Sequence, residues 1–417
     1  MNPTAPMAKR SSRVMQSSLA QWLLVEIFFC LHVVTLTAYA IGAPGFQQRL
    51  DLSSVQMGTL AAAFFAAYGL SQLLVGSQLG RWPNRWLIGG SAGMATIGAL
   101  LLLGSDHYTT ALLARLLMGA GVGMTLVSTV HVVSERYSTR FALMTNISQG
   151  LANSCGAAIG VAIPLLPALK DIRISYQAGF LLLLLDTVLI LVFCRDAAQA
   201  SSTARGAEAD PPQPPRRLSQ RLRSILGMGG FWCSLAFFGG LFGSFLSFAE
   251  VWNIQFQVDV FHRSADLAPL INTTVILGLA IGSIASGVIA ERVGFVKPAR
   301  MGAALTLAML LILRMEVLPL WVAVVAQSLL GLGMGTAALG LSALRDCVPG
   351  DDFPLASSVM LTGVFLSAGL LSAAVGSTVT TLHSAPTDFS HYQQALSWFI
   401  AFAAVACTAS FTMREQH

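Results

Sequence analysis

The chain has 417 residues, of which 55% are hydrophobic and only 10% are charged. A typical soluble domain carries about 25% charged residues, so this composition excludes an ordinary water-soluble protein. The net charge of +5 comes from basic residues in short segments between apolar stretches, which indicates membrane topology and excludes a nucleic-acid-binding domain. The six cysteines form no C-x-x-C pair or zinc spacing, and we predict neither a metal site nor a cofactor.

Long apolar stretches follow one another along the whole chain. About 20 apolar residues cross the roughly 30 Å of bilayer hydrocarbon, and they do so as helices because lipid offers the backbone no hydrogen-bonding partner. The stretches predict an all-α membrane protein with twelve transmembrane helices in two six-helix bundles. The predicted helices cover residues 19–43, 54–79, 86–104, 110–133, 142–166 and 176–194, then 228–255, 267–290, 299–315, 319–344, 355–381 and 392–412.

The polar segments give the domain organisation and the topology. With both termini inside, 18 of the 24 Lys and Arg residues lie on the cytoplasmic side and 5 on the other side, as the positive-inside rule requires. The segment between the bundles contains a proline-rich run and then four arginines, which predicts a flexible linker suited to anionic headgroups. We expect a multi-pass protein of a bacterial inner membrane. Its predicted parts are a cytoplasmic tail (1–18), an N-terminal bundle (19–194), a cytoplasmic linker (195–227), a C-terminal bundle (228–412) and a second cytoplasmic tail (413–417).

Two landmarks repeat between the halves. Predicted helix 2 ends in G-S-Q-L-G-R-W-P-N-R from Gly76, and predicted helix 8 ends in G-V-I-A-E-R-V-G-F-V-K from Gly287, 211 residues later. Predicted helix 4 carries Arg115 and then a G-x-G-x-G pattern, and predicted helix 10 carries Gln327 and the same pattern, 212 residues later. The agreement of the two offsets indicates an internal duplication, and repeated halves around a central site are a common plan of transporters.

On these motifs the sequence resembles the major facilitator superfamily over nearly its whole length. The family's loop between helices 2 and 3 reads G-x-L-a-D-R-x-G-R-K/R. The first copy keeps Gly76, Arg81 and Arg85, but Gly80 replaces the acidic residue and Pro83 replaces the second glycine. The second copy keeps Gly287, Glu291, Arg292, Gly294 and Lys297, and the family's helix 4 pattern R-x-x-x-G-x-G is met by Arg115, Gly119 and Gly121.

The resemblance implies a secondary active transporter whose halves rock about a central site. An efflux antiporter of this family carries G-P-x-x-G-G on helix 5, whereas Gly150, Gly156 and Gly160 lead here only to Pro164. The sequence contains no Walker-type motif for direct use of ATP, and no H-E-x-x-H or G-x-S-x-G that indicates an enzyme. We predict proton-coupled uptake (symport) of a small organic solute by a monomer. Drug or metabolite efflux is the alternative, and a transporter-like receptor is less favoured.

Polar residues inside the predicted helices are the candidates for solute binding, because a charge at the bilayer centre costs at least about 2.5 kcal/mol. The resemblance places helix 4 at the cavity, so Arg115 is predicted to bind a carboxylate or phosphate, or to modulate a proton site. A structural cation bonded to backbone carbonyls is an equal alternative. The candidate substrate or cavity residues are His32, Thr35, Tyr39, Arg115, Glu250, Asn253 and Gln327.

Three residues are candidates for proton coupling: Glu26, His32 and Asp186. His32 lies near mid-membrane on the more polar face of helix 1, and the reference pKa of histidine, about 6.5, suits a proton-linked step; a satisfied hydrogen-bonding residue is the alternative. Glu26 lies on the opposite face, where it is either a proton carrier or a packing residue. For Asp186, at the centre of helix 6, a structural partner inside the bundle is favoured over transport.

Charged residues at the cytoplasmic ends of the helices are predicted to form an inner gate, with solvated surface charge as the alternative. In the resembled family the acidic residue of the loop motif braces a helix N-terminus of the opposite half. Because Gly80 replaces that acid in the first copy, the gate is predicted to depend chiefly on Glu291 and its neighbours. The candidate gate residues are Arg81, Arg85, Glu135, Arg136, Glu291, Arg292, Lys297, Arg345 and Asp346.

The distribution of basic residues predicts that the linker is cytoplasmic. In a variant without other cysteines, Ser201→Cys is expected to resist a membrane-impermeant maleimide in intact cells and to react after permeabilisation. Asp106→Cys, in the predicted loop between helices 3 and 4, is the matched control and is expected to react in intact cells. Reaction of Ser201→Cys from outside would contradict the topology.

Overall fold

The computed structural model of the chain describes residues 5–52, 54–78, 84–166, 171–193, 218–264, 266–315, 318–380 and 389–415. These residues form twelve helices of at least 18 residues each, numbered α1 to α12. The first six are α1 (Ala5–Arg49), α2 (Ser54–Gln78), α3 (Asn84–Leu103), α4 (Tyr108–Arg136), α5 (Phe141–Leu165) and α6 (Ile172–Phe193). The second six are α7 (Gly229–Val258), α8 (Leu267–Val293), α9 (Val296–Leu313), α10 (Leu320–Cys347), α11 (Phe353–Thr380) and α12 (Phe389–Thr412).

Among the described residues, ten helices are long and apolar enough to cross a membrane. Helix α2 contributes a shorter apolar stretch, Thr59–Leu74. Helix α5 is not among the ten, and it carries buried polar side chains that include Asn146, Gln149 and Asn153. The predicted all-α architecture of two six-helix halves is confirmed.

Two boundaries differ from the prediction. Helix α1 begins at Ala5 rather than at residue 19. The last part of the predicted flexible linker is helical instead: Leu218–Leu226 forms a surface helix, and its Ile225 is fully buried. Arg221 Nε donates a hydrogen bond to Asp352 Oδ1 at 2.5 Å, which docks this helix on the C-terminal half. The preceding linker residues, 195–217, lie outside the described residues.

The two halves meet along two helix pairs, α5 with α8 and α2 with α11. A methyl group at Gly150 of α5 would collide with α8, so the absence of a side chain allows close approach. Ser286 Oγ of α8 donates to Asn146 Oδ1 of α5 at 3.2 Å. Thr362 Oγ1 of α11 donates to the carbonyl oxygen of Gly69 in α2 at 2.8 Å. We call the end of the molecule from which the linker departs the linker side, and the opposite end the far side.

The internal duplication extends to equivalent close contacts. Gly119 of α4 packs against the backbone carbonyl of Phe64 in α2, and Gly331 of α10 packs against that of Val275 in α8. Gly331 follows Gly119 by 212 positions and Val275 follows Phe64 by 211, so the partners are repeat counterparts as well. Each half therefore builds its core on the same small-residue contact.

Three helices contain irregular turns. Helix α4 is interrupted at Gly123, and α10 is interrupted at the repeat-equivalent place by a 3₁₀ segment, Gly335–Ala338. Helix α7 has two π-helical turns, Gly239–Gly243 and Phe248–Trp252. Such π-turns occur frequently at functional sites. The second one contains Glu250.

Gly331→Ala is expected to destabilise the protein, because the added methyl group would meet the Val275 carbonyl oxygen. Overpacking of this kind costs about 1–3 kcal/mol. Gly369→Ala on α11 is the control, since no described heavy atom outside its own helical turn lies within 4 Å of an added Cβ. Thermal unfolding in detergent measures both variants, and equal midpoints would count against the small-residue contact.

Candidate functional site

A cavity of about 20 Å³ lies between the two halves, and we call it the inter-half cavity. Its volume is enough for about one water molecule. The halves touch on the far side as well, where α1 approaches the Phe248–Trp252 turn. An organic solute therefore enters only when the halves part. The lining includes His32, Tyr68 and Gln149 from the N-terminal half and Phe242, Glu250 and Phe365 from the C-terminal half.

Three polar side chains of this cavity lack partners. His32, Gln149 and Glu250 are at most 8% exposed. Among the described residues, no hydrogen-bond partner serves His32 Nδ1, either amide atom of Gln149 or either carboxyl oxygen of Glu250. Buried polar groups without partners raise the free energy of the folded state. A polar molecule that binds them relieves this cost, so the cavity is the candidate binding site.

Aromatic rings form much of the wall. The ring centroids of Tyr68 and Phe365, one from each half, lie 3.8 Å apart in a stacked arrangement. The Tyr68 ring also lies 5.2 Å from the His32 imidazole, and its hydroxyl oxygen is 3.3 Å from Thr125 Oγ1. The wall therefore offers flat apolar surfaces beside the unpartnered polar groups.

Arg115 lies behind this wall and is only 1% exposed. Its guanidinium carbon lies 3.8 Å from the ring centroid of Tyr39 and 4.2 Å from that of Phe64, which are cation–π distances. The Phe64 ring stacks in turn on His32 at 6.2 Å. In the described part of the chain no carboxylate lies within ion-pair distance of Arg115, and its Nε has no partner. Arg115 is thus a buried cation flanked by aromatic rings.

The other predicted cavity residues lie elsewhere. Thr35 and Tyr39 line a different cavity, inside the N-terminal half. Asn253 and Gln327 belong to an amide network in the C-terminal half, because Asn253 Nδ2 donates to Asn272 Oδ1 and to Gln327 Oε1, both at 2.9 Å. This network joins α7, α8 and α10, and neither Asn253 nor Gln327 lines the inter-half cavity. Of the seven predicted residues, the inter-half cavity brings together His32 and Glu250.

The three predicted proton-coupling residues also lie in different parts of the structure. Glu26 is 1% exposed and lies at the α1–α5 interface, where Cys30 Sγ donates to its Oε1 at 3.9 Å and Ser148 lies beside it. Asp186 is also 1% exposed, and among the described residues neither of its carboxyl oxygens has a hydrogen-bond partner. Only His32 of the three predicted residues lines the inter-half cavity.

Two of the predicted gate residues bridge the halves on the linker side. Arg345 Nη1 donates to the Ser138 carbonyl oxygen at 2.9 Å, and its guanidinium carbon lies 4.6 Å from the Phe141 ring. Glu291 Oε1 lies 3.9 Å from Nε of Arg140, a residue that the sequence reasoning missed. These cross-half contacts close the linker side in this conformation.

The remaining predicted gate residues lie on the same side of the molecule or outside the described residues. Glu135 pairs with His131 of its own helix, at 3.4 Å. Arg85 lies over the ring of its neighbour Trp86 at 5.0 Å. Arg81 lies outside the described residues. The others lie at the linker-side ends of α4, α8, α9 and α10, and they are Arg136, Arg292, Lys297 and Asp346.

Two repeated six-helix halves with an unsatisfied polar cavity between them define a membrane transporter that exposes a central site alternately to each side. The family model described as Major Facilitator Superfamily matches residues 27–262, which is more than half of the chain. The chain therefore belongs to the major facilitator superfamily. It is a multi-pass integral membrane protein and a secondary transporter, in a family of transporters rather than enzymes.

Solved structures support the same fold. A crystal structure of the Escherichia coli fucose:proton symporter FucP (N162A) matches with a TM-score of 0.70 and 18% identity, covering 96% of this chain and 100% of that chain. A structure of FucP in the outward conformation matches with a TM-score of 0.67, 17% identity and the same coverage. At these identities the likeness concerns the fold alone.

A curated relative is the 3-(3-hydroxy-phenyl)propionate transporter of Escherichia coli (strain K12), 27% identical over 177 residues. The match covers 39% of this chain and 41% of the relative, so it spans about two fifths of each protein.

The linker-side geometry predicts an asymmetric gate. Glu291→Ala removes a contact between the halves, whereas Glu135→Ala removes one within α4, so the first variant is expected to populate the inward-open state more. The Arg140 and Glu291 side chains are 71% and 35% exposed, and such a pair contributes about 0–1 kcal/mol, which limits the shift to about fivefold. Distances between spin labels on the linker-side ends of the halves measure it, and equal shifts would contradict the asymmetry.

Proposed function

We propose that this protein imports a small organic anion together with a proton, and that the inter-half cavity is the shared site. The observation that carries the proposal is the pair His32 and Glu250. One residue comes from each half and both are buried; among the described residues, His32 Nδ1 and both Glu250 carboxyl oxygens have no hydrogen-bond partner, and the cavity is large enough for about one water molecule.

Glu250 is the proposed proton carrier. A carboxylate anion without a partner is costly to bury, whereas a protonated carboxyl group is neutral. Glu250 therefore takes up a proton before the halves close over it and releases the proton when the cavity opens to water. Protonation of Glu250 and closure of the halves are linked in this way, because the protonated group stabilises the closed conformation relative to the open one, and that difference moves the equilibrium between them. The π-helical turn that contains Glu250 lies where α1 approaches α7, so the group sits at the moving boundary.

Arg115 supports an anionic solute. It is a buried cation without a described carboxylate partner, and only the Phe64 ring separates it from His32 at the cavity wall. At low dielectric an uncompensated positive charge attracts an anion strongly. The stacked rings of Tyr68 and Phe365 add a flat apolar surface that suits an aromatic group.

One similar protein is consistent with the proposed solute class, and the other with proton coupling. The name of one specifies 3-(3-hydroxy-phenyl)propionate, an aromatic carboxylate, and the other is titled a fucose:proton symporter. The cavity wall and Arg115 favour the first kind of solute over a sugar. We therefore propose an aryl-substituted carboxylate, imported with a proton across a bacterial inner membrane.

Transport into proteoliposomes tests the proposal with a panel of labelled aryl carboxylates that includes benzoate and 3-phenylpropionate. An inward proton gradient is expected to drive accumulation by the wild type. Glu250→Gln and His32→Ala are expected to abolish accumulation while exchange of internal for external solute continues. Arg115→Gln is expected to reduce both activities about tenfold, because it removes the buried positive charge behind the Phe64 ring, and a loss of about 1.4 kcal/mol of attraction is a tenfold change.

Glu26→Gln and Asp186→Asn are the matched controls, since each makes the same carboxyl-to-amide change outside the inter-half cavity. Both are expected to retain accumulation. Loss of accumulation in Glu26→Gln with retention in Glu250→Gln would place the proton site at the α1–α5 interface instead. Accumulation driven only by an outward proton gradient would identify an efflux antiporter.

A further inference from the structure

The N-terminal half contains a second cavity, of about 70 Å³, which we call the N-half cavity. Helices α1, α3, α4, α5 and α6 line it, and no described residue of the C-terminal half does. It lies towards the far side, since its lining includes Leu102 near the end of α3 and Ser175 near the start of α6. Ala178 and Leu182, which also line it, are exposed, so the cavity reaches the membrane-facing surface beside α6.

Most of the lining is apolar, but one part carries hydrogen-bond donors without partners. Tyr39 is 6% exposed, and its hydroxyl and that of Tyr176 are buried with no described hydrogen-bond partner. The guanidinium of Arg115 stacks on the Tyr39 ring at 3.8 Å. Arg115 can only donate hydrogen bonds, and it has no carboxylate partner in the described part of the chain. The cavity therefore joins two phenol groups to an apolar passage, and Arg115 contributes a positive charge that stacks on the Tyr39 ring without lining the cavity.

We propose that the N-half cavity binds the carboxylate of a small amphipathic anion whose apolar body extends from the cavity towards the lipid beside α6. A carboxylate accepts hydrogen bonds from both tyrosine hydroxyls, and its negative charge is attracted by the Arg115 guanidinium that stacks on the Tyr39 ring. A cavity of 70 Å³ is about half the size of one that holds benzene, so it takes the head group and the first carbon atoms only.

This site goes beyond the proposed function, because it lies outside the inter-half cavity and depends on neither the direction nor the proton coupling of transport. The apolar lining disfavours phosphate and other strongly hydrated anions, which lose more hydration on entry than a carboxylate does. Hydrocarbon at the mouth favours a molecule that partitions into the membrane. An alkyl carboxylate meets both conditions.

Octanoate, octanol and octylamine form a matched set of probes that differ in head-group charge. Purified protein in detergent is unfolded thermally at increasing concentrations of each. Octanoate is expected to raise the unfolding midpoint in a saturable manner, because a ligand that binds only the folded state stabilises it. Octanol and octylamine are expected not to do so. An equal rise of the midpoint with octanoate and octanol would show that the probes act by partitioning into detergent or lipid, and it would overturn the proposal.

Conservative variants locate the site. Tyr39→Phe keeps the ring that stacks on Arg115, and Tyr176→Phe keeps its own ring, while each removes one donor. Each is expected to weaken octanoate binding about tenfold. Gly179→Ala adds a methyl group to the lining at an ordinary 3.6 Å from Thr35 Cγ2 and is expected to weaken binding as well.

Gly93→Ala is the control for the glycine variant, because its methyl group would meet Thr187 Cγ2 at a similar 3.7 Å away from the N-half cavity. It is expected to bind octanoate as the wild type does. If octanoate no longer raises the unfolding midpoint of Glu250→Gln but still raises that of both tyrosine variants, the anion binds between the halves. That outcome would overturn this proposal and leave the proposed function standing. Normal octanoate binding without any carboxylate transport would reject the proposed function alone.

Discussion

Polar groups at membrane depth have no water to bind, so each must find a partner in the protein or line a cavity. This constraint organises the interior of the protein. The amides of Asn253 and Gln327 satisfy each other, and Arg115 is flanked by two aromatic rings. Among the described residues, His32 Nδ1 and both carboxyl oxygens of Glu250 have no hydrogen-bond partner where the halves face each other. Asp186 also lacks described partners but lies outside this cavity, so it is the combination of unsatisfied groups and a position between the halves that indicates the candidate site.

The two halves have the same scaffold but different chemistry at equivalent positions. Arg115 and Gln327 are repeat counterparts, and each lies four residues before the glycine, Gly119 or Gly331, at which α4 approaches α2 or α10 approaches α8. In the N-terminal half the position carries an uncompensated cation, whereas in the C-terminal half it carries a neutral amide bonded to α7. Under the proposed function, charge selection for an anion lies in the N-terminal half, and the C-terminal half holds the helix that bears Glu250 in place.

The fold was predictable because small-residue contacts and apolar lengths are local properties of the sequence. Gly119 and Gly331 belong to the repeated glycine pattern that indicated the duplication, and the structure places them against equivalent backbone atoms. The sequence did not indicate that Glu250 lines the same cavity as His32 while Asn253 does not, because two π-helical turns change the side-chain register of α7 from 100° per residue. Tyr68 was missed for a different reason, since an aromatic residue in a membrane helix looks the same whether it faces lipid or a cavity. The described ion pair of Arg140 is with Glu291 of the opposite half, so no local sequence pattern indicates its role.

The strengths of the contacts differ in a way that suits transport. The linker-side ion pair of Arg140 and Glu291 is largely exposed and contributes at most about 1 kcal/mol, while each unsatisfied group in the inter-half cavity costs about 1–3 kcal/mol. The unsatisfied groups therefore raise the free energy of the closed conformation by more than the ion pair of Arg140 and Glu291 lowers it. A change of 1.4 kcal/mol alters an equilibrium tenfold. In the proposed mechanism, the free energy gained when a hydrogen-bonded solute fills the cavity, or when Glu250 is protonated, is large enough to redistribute the conformations, which is the coupling that an alternating-access carrier requires.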